Sequence, residues 1–257
     1  MCITSLSTLL QGIAPVPSVF DVTIHGLKTD SRDVRSGDAF VALAGARTPA
    51  DHYIEQAIGA GATVILLESA QPDECYEHEG VLIVPVTMLR AHLGKLADRF
   101  FEHPSQRLRL IGVTGTNGKT SVSHYIATLL QETGTPCGVI GTLGYGMPGA
   151  LQEGTHTTPD VVQVNRVLSK IIAQGGRAAA MEVSSHALEQ GRVDNLTMTG
   201  AVFTNLTRDH LDYHGSMDAY GAAKARLFHR EELHFAVINF DDPFGRQLYE
   251  KLDGKCD

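Results

Sequence analysis

The sequence predicts an α/β protein: a small mixed α/β N-terminal domain over residues 1–104, then, over residues 105–257, a partial, mostly parallel sheet with helices on both faces. Three observations carry that expectation. Past residue 107, strand-like runs (near 108–113, 137–141, 177–182, 200–204 and 234–239) alternate with helical runs (near 119–133, 160–173, 216–229 and 243–252), the grammar of a parallel sheet covered on two sides. Before it the pattern is mixed, and His103-Pro104-Ser105-Gln106-Arg107 separates the two regions. At the first strand-to-helix junction lies Thr114-Gly115-Thr116-Asn117-Gly118-Lys119-Thr120-Ser121, which has the composition of a phosphate cradle.

In the N-terminal region the apolar runs predict strands over Val22 to Ile24, Ala39 to Leu43, Thr63 to Leu67 and Val81 to Val86. Helices are expected over Asp51 to Ala60 and Met88 to Phe101, the second with Leu89, Leu93, Leu96, Ala97, Phe100 and Phe101 as one core-facing stripe.

The second region opens with Leu108, Leu110, Ile111 and Val113, a short buried strand, and continues past the loop with Val122, Tyr125, Ile126, Leu129 and Leu130 at helical spacing. The loop therefore feeds a helix N-terminus, where unpaired N–H groups and the helix dipole favour a polyanion. Gly115 and Gly118 let the backbone approach phosphate, Lys119 adds a charge expected to project from the loop, and the Thr120 hydroxyl suits magnesium. This is a P-loop-type arrangement without the literal spacing: the position five before Gly118 is Val113, with glycines at 112 and 115. An ordinary glycine-rich turn is the competing reading, and Gly-Lys-Thr between a strand and a helix weighs against it.

Ligands of such sheets gather at the carboxyl ends of the strands. Two polar segments sit there, Met181-Glu182-Val183-Ser184-Ser185-His186 and Thr204-Asn205-Leu206-Thr207-Arg208-Asp209-His210-Leu211-Asp212-Tyr213-His214. Glu182 suits a magnesium ion beside a triphosphate, since that hard cation takes oxygen ligands; a strand-end salt bridge is the alternative. In the second segment His210 and His214 lack the glutamate of a zinc-protease motif. Asp209 and Asp212 fit capping as well as function, and His210 is the functional member expected.

Composition narrows the classes. With 43% hydrophobic residues and no apolar stretch near the roughly 18 residues of a membrane helix, the chain reads as soluble and cytoplasmic. The four cysteines, at 2, 75, 137 and 256, have neither zinc-ribbon spacing nor disulfide density. A formal charge of -8 gives no basic footprint for nucleic acid, so an anionic ligand needs a local site; a monomer is expected.

The phosphate loop, Thr157-Thr158-Pro159-Asp160, Met181 to Leu188, Thr204 to His214 and Ala222-Ala223-Lys224 together resemble the Mur ligase family. Thr29-Asp30-Ser31-Arg32 and Ser36-Gly37-Asp38-Ala39-Phe40-Val41 resemble the first domain of its MurE-type members. These add the third amino acid, meso-diaminopimelate or lysine, to UDP-N-acetylmuramoyl-L-alanyl-D-glutamate in peptidoglycan synthesis. The resemblance implies that residues 1–104 bind the uridine nucleotide through Thr29 and Ser31 and that residues 105–257 bind ATP. It implies phosphate contacts from Gly115, Thr116, Asn117, Gly118, Lys119, Thr120 and Ser121, magnesium at Thr120 and Glu182, and a second magnesium at His210. Lys224 matches the lysine that the family carbamylates, where the carbamate would serve as an oxygen ligand. Thr157, Thr158, Ser184, Gln190 and Arg192 align with contacts to the muramoyl peptide.

One departure is visible. Many relatives carry His-Gln where this chain reads Gly45-Ala46-Arg47-Thr48, so uracil contacts in that loop must differ. The sequence also ends at Asp253-Gly254-Lys255-Cys256-Asp257, where Mur ligases continue into the rest of the central domain and an amino-acid-binding domain, so an inactive fragment of the parent enzyme is expected. Two alternatives share these features: another Mur or folylpolyglutamate-type ligase, and a non-catalytic ATP- or sugar-nucleotide-binding module.

Overall fold

A computed structural model describes residues 2–43, 50–71, 73–154 and 156–252. The Gly45–Thr48 loop and the terminal residues 253–257 lie outside them. The chain divides into two compact units, Met1–Glu102 and His103–Asp257.

The first unit begins with β1 (Thr4–Ser5), α1 (Leu6–Leu10) and β2 (Thr23–Ile24), with β1 and β2 antiparallel. It continues with β3 (Gly26–Lys28), β4 (Asp38–Ala42), α2 (Ala50–Gly59), β5 (Val64–Ser69), β6 (Tyr76–His78), β7 (Val81–Thr87) and α3 (Leu89–Phe100). Its five-stranded sheet runs β3-β4-β5-β7-β6, parallel except for β6. β4 is buried along its whole length and β7 nearly so, as strands between two covering layers must be. The α3 stripe is core as expected: all six of its apolar residues are buried. Sequence periodicity missed β1, α1, β3 and β6, which have too few residues to show a period; α1 forms because Ser5 caps it, its Oγ accepting from Thr8 N at 3.2 Å.

The second unit comprises β8 (Arg109–Thr114), α4 (Lys119–Glu132), β9 (Cys137–Gly141), β10 (Gly144–Gly146), α5 (Val161–Ala173), β11 (Ala178–Glu182), α6 (Ser185–Glu189), β12 (Gly200–Phe203), α7 (Leu211–His214), α8 (Met217–Ala225), β13 (Phe235–Ile238) and α9 (Pro243–Leu252). The sheet order is β10-β9-β11-β8-β12-β13, with β10 antiparallel to β9 and every other pair parallel. Among the described residues no helix is long and apolar enough to cross a membrane.

The face of α4 differs from the expected one. Ser123 and Ala127 are buried, Ile126 and Leu130 flank them, and Tyr125 and Leu129 are each 66% exposed. The strand beneath presents Ala178 and Ala180, and so small a surface admits the helix closely on its small-residue side, which turns Tyr125 and Leu129 outward. The helix expected over 216–229 likewise ends at Ala225 and continues as a 3-10 turn over Arg226–His229.

The registry of the central strands sets up the site. Glu182 at the end of β11 lies opposite Val113 of β8, and Phe203 at the end of β12 lies opposite Thr114. The three segments that follow these strands therefore emerge side by side, at the carboxyl edge where ligands of such sheets bind.

Candidate nucleotide and metal site

The phosphate loop links β8 to α4. The first backbone bond of the helix is Val122 N to Gly118 O at 2.9 Å, so the amides of Lys119, Thr120 and Ser121 precede the helical ladder. Contrary to the expectation that it projects from the loop, Lys119 folds back. Its ammonium donates to Gly115 O at 2.9 Å and Thr116 O at 2.8 Å, because carbonyls left over by a tight loop are the nearest acceptors. Burial lowers its pKa, an effect opposed by the carboxylates of Glu182 and Asp209.

Glu182 is buried, and every contact to its carboxylate comes from a hydroxyl or an amide. Thr120 Oγ1 donates to Oε2 at 3.0 Å, Thr142 N to Oε1 at 2.8 Å, and Thr142 Oγ1 to Oε2 at 3.3 Å. The sequence fits the carboxylate in by omitting a side chain: a Cβ at Gly141 would lie 2.2 Å from Glu182 Oε1. A buried carboxylate beside two threonine hydroxyls is an oxygen donor set that suits magnesium. Thr157 joins the group through Thr142, with their hydroxyls 3.0 Å apart.

Lys224 lies on α8 with Tyr220, Gly221 and Ala223 on the buried side of that helix. It is 1% exposed, donates to Gly115 O at 2.8 Å, and its ammonium sits 4.4 Å from the centroid of the Tyr220 ring. Two lysines thus share one carbonyl acceptor. Burial first, and the Lys119 cation second, push Lys224 down to about 7 from 10.5.

His210 begins α7 in a left-handed conformation, φ 51°, and packs edge-on to His186 with ring centroids 4.8 Å apart. Beneath them the His214 side chain is almost wholly buried between Glu189, 2.9 Å from Nδ1, and Ser185, whose Oγ lies 2.9 Å from Nε2. The carboxylate accepts only, so Nδ1 donates to it. Burial, then the neighbouring His210 and His214, lower the pKa of His186.

The residues read as muramoyl-peptide contacts form a second cluster. Thr158 Oγ1 donates to Glu182 O at 2.8 Å and accepts from Ser184 N at 3.0 Å, and Ser184 caps α6. Arg192 spends its fork internally, on Gln190 Oε1 through Nε at 2.9 Å and on Thr158 O through Nη1 at 2.8 Å. Thr29 and Ser31 belong to the other unit. There they line a cleft of about 460 Å³ with Arg32, Phe40, Tyr53 and Gln56, and Ser31 Oγ donates to Gln56 Oε1 at 2.7 Å.

Sequence reasoning missed Thr142, Tyr220 and Asn205. Thr142 directly follows a strand, and the rule applied to β11 and β12 would have found it at β9. The other two act through tertiary contacts that no spacing announces.

A family profile described as "Mur ligase middle domain" matches residues 113–256, and one described as "Mur ligase family, catalytic domain" matches residues 23–101. A relative from Xanthomonas campestris pv. campestris (strain 8004), named UDP-N-acetylmuramoyl-L-alanyl-D-glutamate--2,6-diaminopimelate ligase, is 52% identical over 249 residues, covering 97% of this chain and 49% of its own length. One of the same name from Alkalilimnicola ehrlichii is 48% identical over 256 residues, covering 97% and 51%. A solved structure, again of that name, superposes with a TM-score of 0.77 at 34% identity, covering 97% of this chain and 50% of that one. The chain spans about half the length of the curated relatives it matches.

Proposed function

The chain belongs to the Mur ligase family, and from that premise we propose that it carries the nucleotide- and substrate-binding part of a cytoplasmic, ATP-dependent ligase that adds the third amino acid to UDP-N-acetylmuramoyl-L-alanyl-D-glutamate. The names of its relatives favour diaminopimelate over lysine as that amino acid. One observation carries the reading: Lys119 and Lys224 converge on Gly115 O while Glu182 meets Thr120, so a cation for phosphate, Lys119, and an oxygen donor set for a hard cation stand at one strand edge.

In this mechanism ATP phosphorylates the terminal carboxylate of the dipeptide, the incoming amine attacks the acyl phosphate, and the tetrahedral intermediate collapses to an amide and phosphate. Lys119 and the amides at the start of α4 bind and orient the polyphosphate. Thr120 and Glu182 would hold one magnesium ion, and His210 with a carbamylated Lys224 a second. Magnesium supplies charge neutralisation to the transferring phosphoryl group. Thr157, Thr158 and Ser184 contact the muramoyl peptide. Arg192, already bonded to Gln190 and Thr158, orients both while leaving part of its charge for the anion. No protein nucleophile is needed.

The direct test uses a protein carrying this chain at its relatives' full length, incubated with ATP, magnesium, the UDP-muramoyl dipeptide and diaminopimelate. Phosphate and a product heavier by one residue should appear together; phosphate release without the amino-acid-dependent product would exclude the ligase reading. A non-catalytic module would show binding alone.

The uridine assignment is separable. Ser31→Ala removes a hydroxyl that lines the cleft and donates to the exposed Gln56 carboxamide, and should weaken UDP binding about tenfold while ATP binding is unchanged. Equal UDP affinities in a calorimetric titration of the two proteins would remove Ser31 from the nucleotide site.

A further inference from the structure

The loop that follows β12 grips the phosphate loop through backbone and side chains, Asn205 foremost. The parallel β8–β12 ladder continues past both strands, Thr204 N donating to Thr114 O at 3.0 Å and Thr116 N to Asn205 O at 2.8 Å. There the Asn205 carboxamide pairs with the backbone of Asn117 at two points, accepting from Asn117 N at 3.0 Å and donating to Asn117 O at 3.1 Å. Thr204 Oγ1 adds a third bond, to Asn117 O at 2.6 Å. The approach is so close that a Cβ at Gly115 would lie 1.9 Å from Thr204 Oγ1.

We propose that Asn205 is a positioning residue for the nucleotide: it fixes the backbone of Asn117 on both sides, and with it the angle at which Lys119 and the first α4 amides meet phosphate. The proposal rests on the nucleotide reading above. It follows from which amides remain available. Those of Thr116 and Asn117 are committed to Asn205, so they shape the loop, and phosphate falls to the amides that follow, from Gly118 to Ser121. A loop that departs from the literal phosphate-loop spacing gains from the neighbouring loop after β12 the rigidity its own glycines do not supply. An asparagine side chain is the fitting device, since its carboxamide matches a peptide group donor to acceptor.

The experiment compares wild-type chain, Lys119→Ala and Asn205→Ala by calorimetry with Mg·ATP and by amide hydrogen exchange. In Asn205→Ala the ATP affinity should fall about tenfold, and the Asn117 amide should lose protection while the β8 and β12 amides keep theirs. Wild-type affinity in Asn205→Ala overturns the proposal, as does a loss of affinity accompanied by lost protection throughout β8 and β12, which is a merely structural effect. If the alanine variant does not fold, the isosteric Asn205→Asp serves: it keeps the acceptor for Asn117 N and turns the donor into a second acceptor facing Asn117 O, so its ATP affinity should also fall, and wild-type binding by it is equally fatal. The parent reading fails separately, when wild type and Lys119→Ala bind ATP alike.

Discussion

Lys119→Ala should lose about a hundredfold or more in magnesium-dependent ATP affinity while unfolding at nearly the wild-type temperature. The loss follows from removing a cation and up to three donors from a triphosphate, interactions worth about 1.5–3 kcal/mol each when charge-assisted. The fold should survive because the ammonium serves only two loop carbonyls, Gly115 O and Thr116 O, and its own charge is disfavoured by burial. With Lys119 gone, Lys224 keeps its bond to Gly115 O and loses its like-charged neighbour, so its pKa should rise. Lys119→Arg separates charge from shape, since a planar fork does not replace a compact ammonium folded into a tight loop; it should recover only part of the affinity. Calorimetry on the three proteins decides the matter, and equal ATP affinity in Lys119→Ala would mean that the loop is an ordinary glycine-rich turn.

Most of what makes this site was legible because it is local. Gly118-Lys119-Thr120 announces itself between an apolar strand and a helix, and Glu182 ends a strand, so the topology of a parallel sheet places them at one edge without any knowledge of contacts. The alternation past residue 107 likewise predicted the strands from β8 to β13 save the three-residue β10, which pairs through backbone alone and has no pattern to read. The illegible part is what depends on the neighbour. Tyr125 and Leu129 share the helical spacing of Val122 and Ile126, and only the alanine strand beneath α4 decides which of them is buried. Asn205 looks like any loop asparagine until Asn117 is opposite it. Lys224 is the sharpest case, since periodicity assigns a lysine to solvent by default. Tyr220, four residues earlier on the same helix face, was the available signal against that default.

The burial of Lys224 has consequences for both stability and chemistry. Its folded pKa of about 7 lies below the ordinary 10.5. Between those values the unfolded chain binds more protons than the folded one, so the contribution of Lys224 to stability rises with pH across the window and its full burden falls below it. That burden is on the order of 5 kcal/mol. In carbon-dioxide-free buffer the wild-type urea midpoint should therefore climb between about pH 7 and pH 9 more steeply than that of Lys224→Met, which has no charge to bury; parallel profiles would place the ammonium in water. The chemistry uses the same shift. The neutral amine attacks carbon dioxide, its lone pair forming the N–C bond while a carbon–oxygen π pair moves to oxygen and the amine proton leaves to solvent, giving a carbamate anion. With labelled bicarbonate, a carbamate carbon resonance should appear in the wild-type chain, grow from about pH 6 to pH 8 as the amine deprotonates, and be absent from Lys224→Ala. The carbamate replaces a cation that repels Lys119 with an anion that pairs with it, and it supplies the oxygen ligand that an alanine cannot. In a protein of the relatives' full length, Lys224→Ala should thus lose about a hundredfold or more of the ligation rate, bicarbonate should not restore it, and a short carboxylate such as acetate should restore part of it by standing in for the lost ligand. Wild-type turnover in that variant would return Lys224 to the role of a buried helix residue with no part in the reaction.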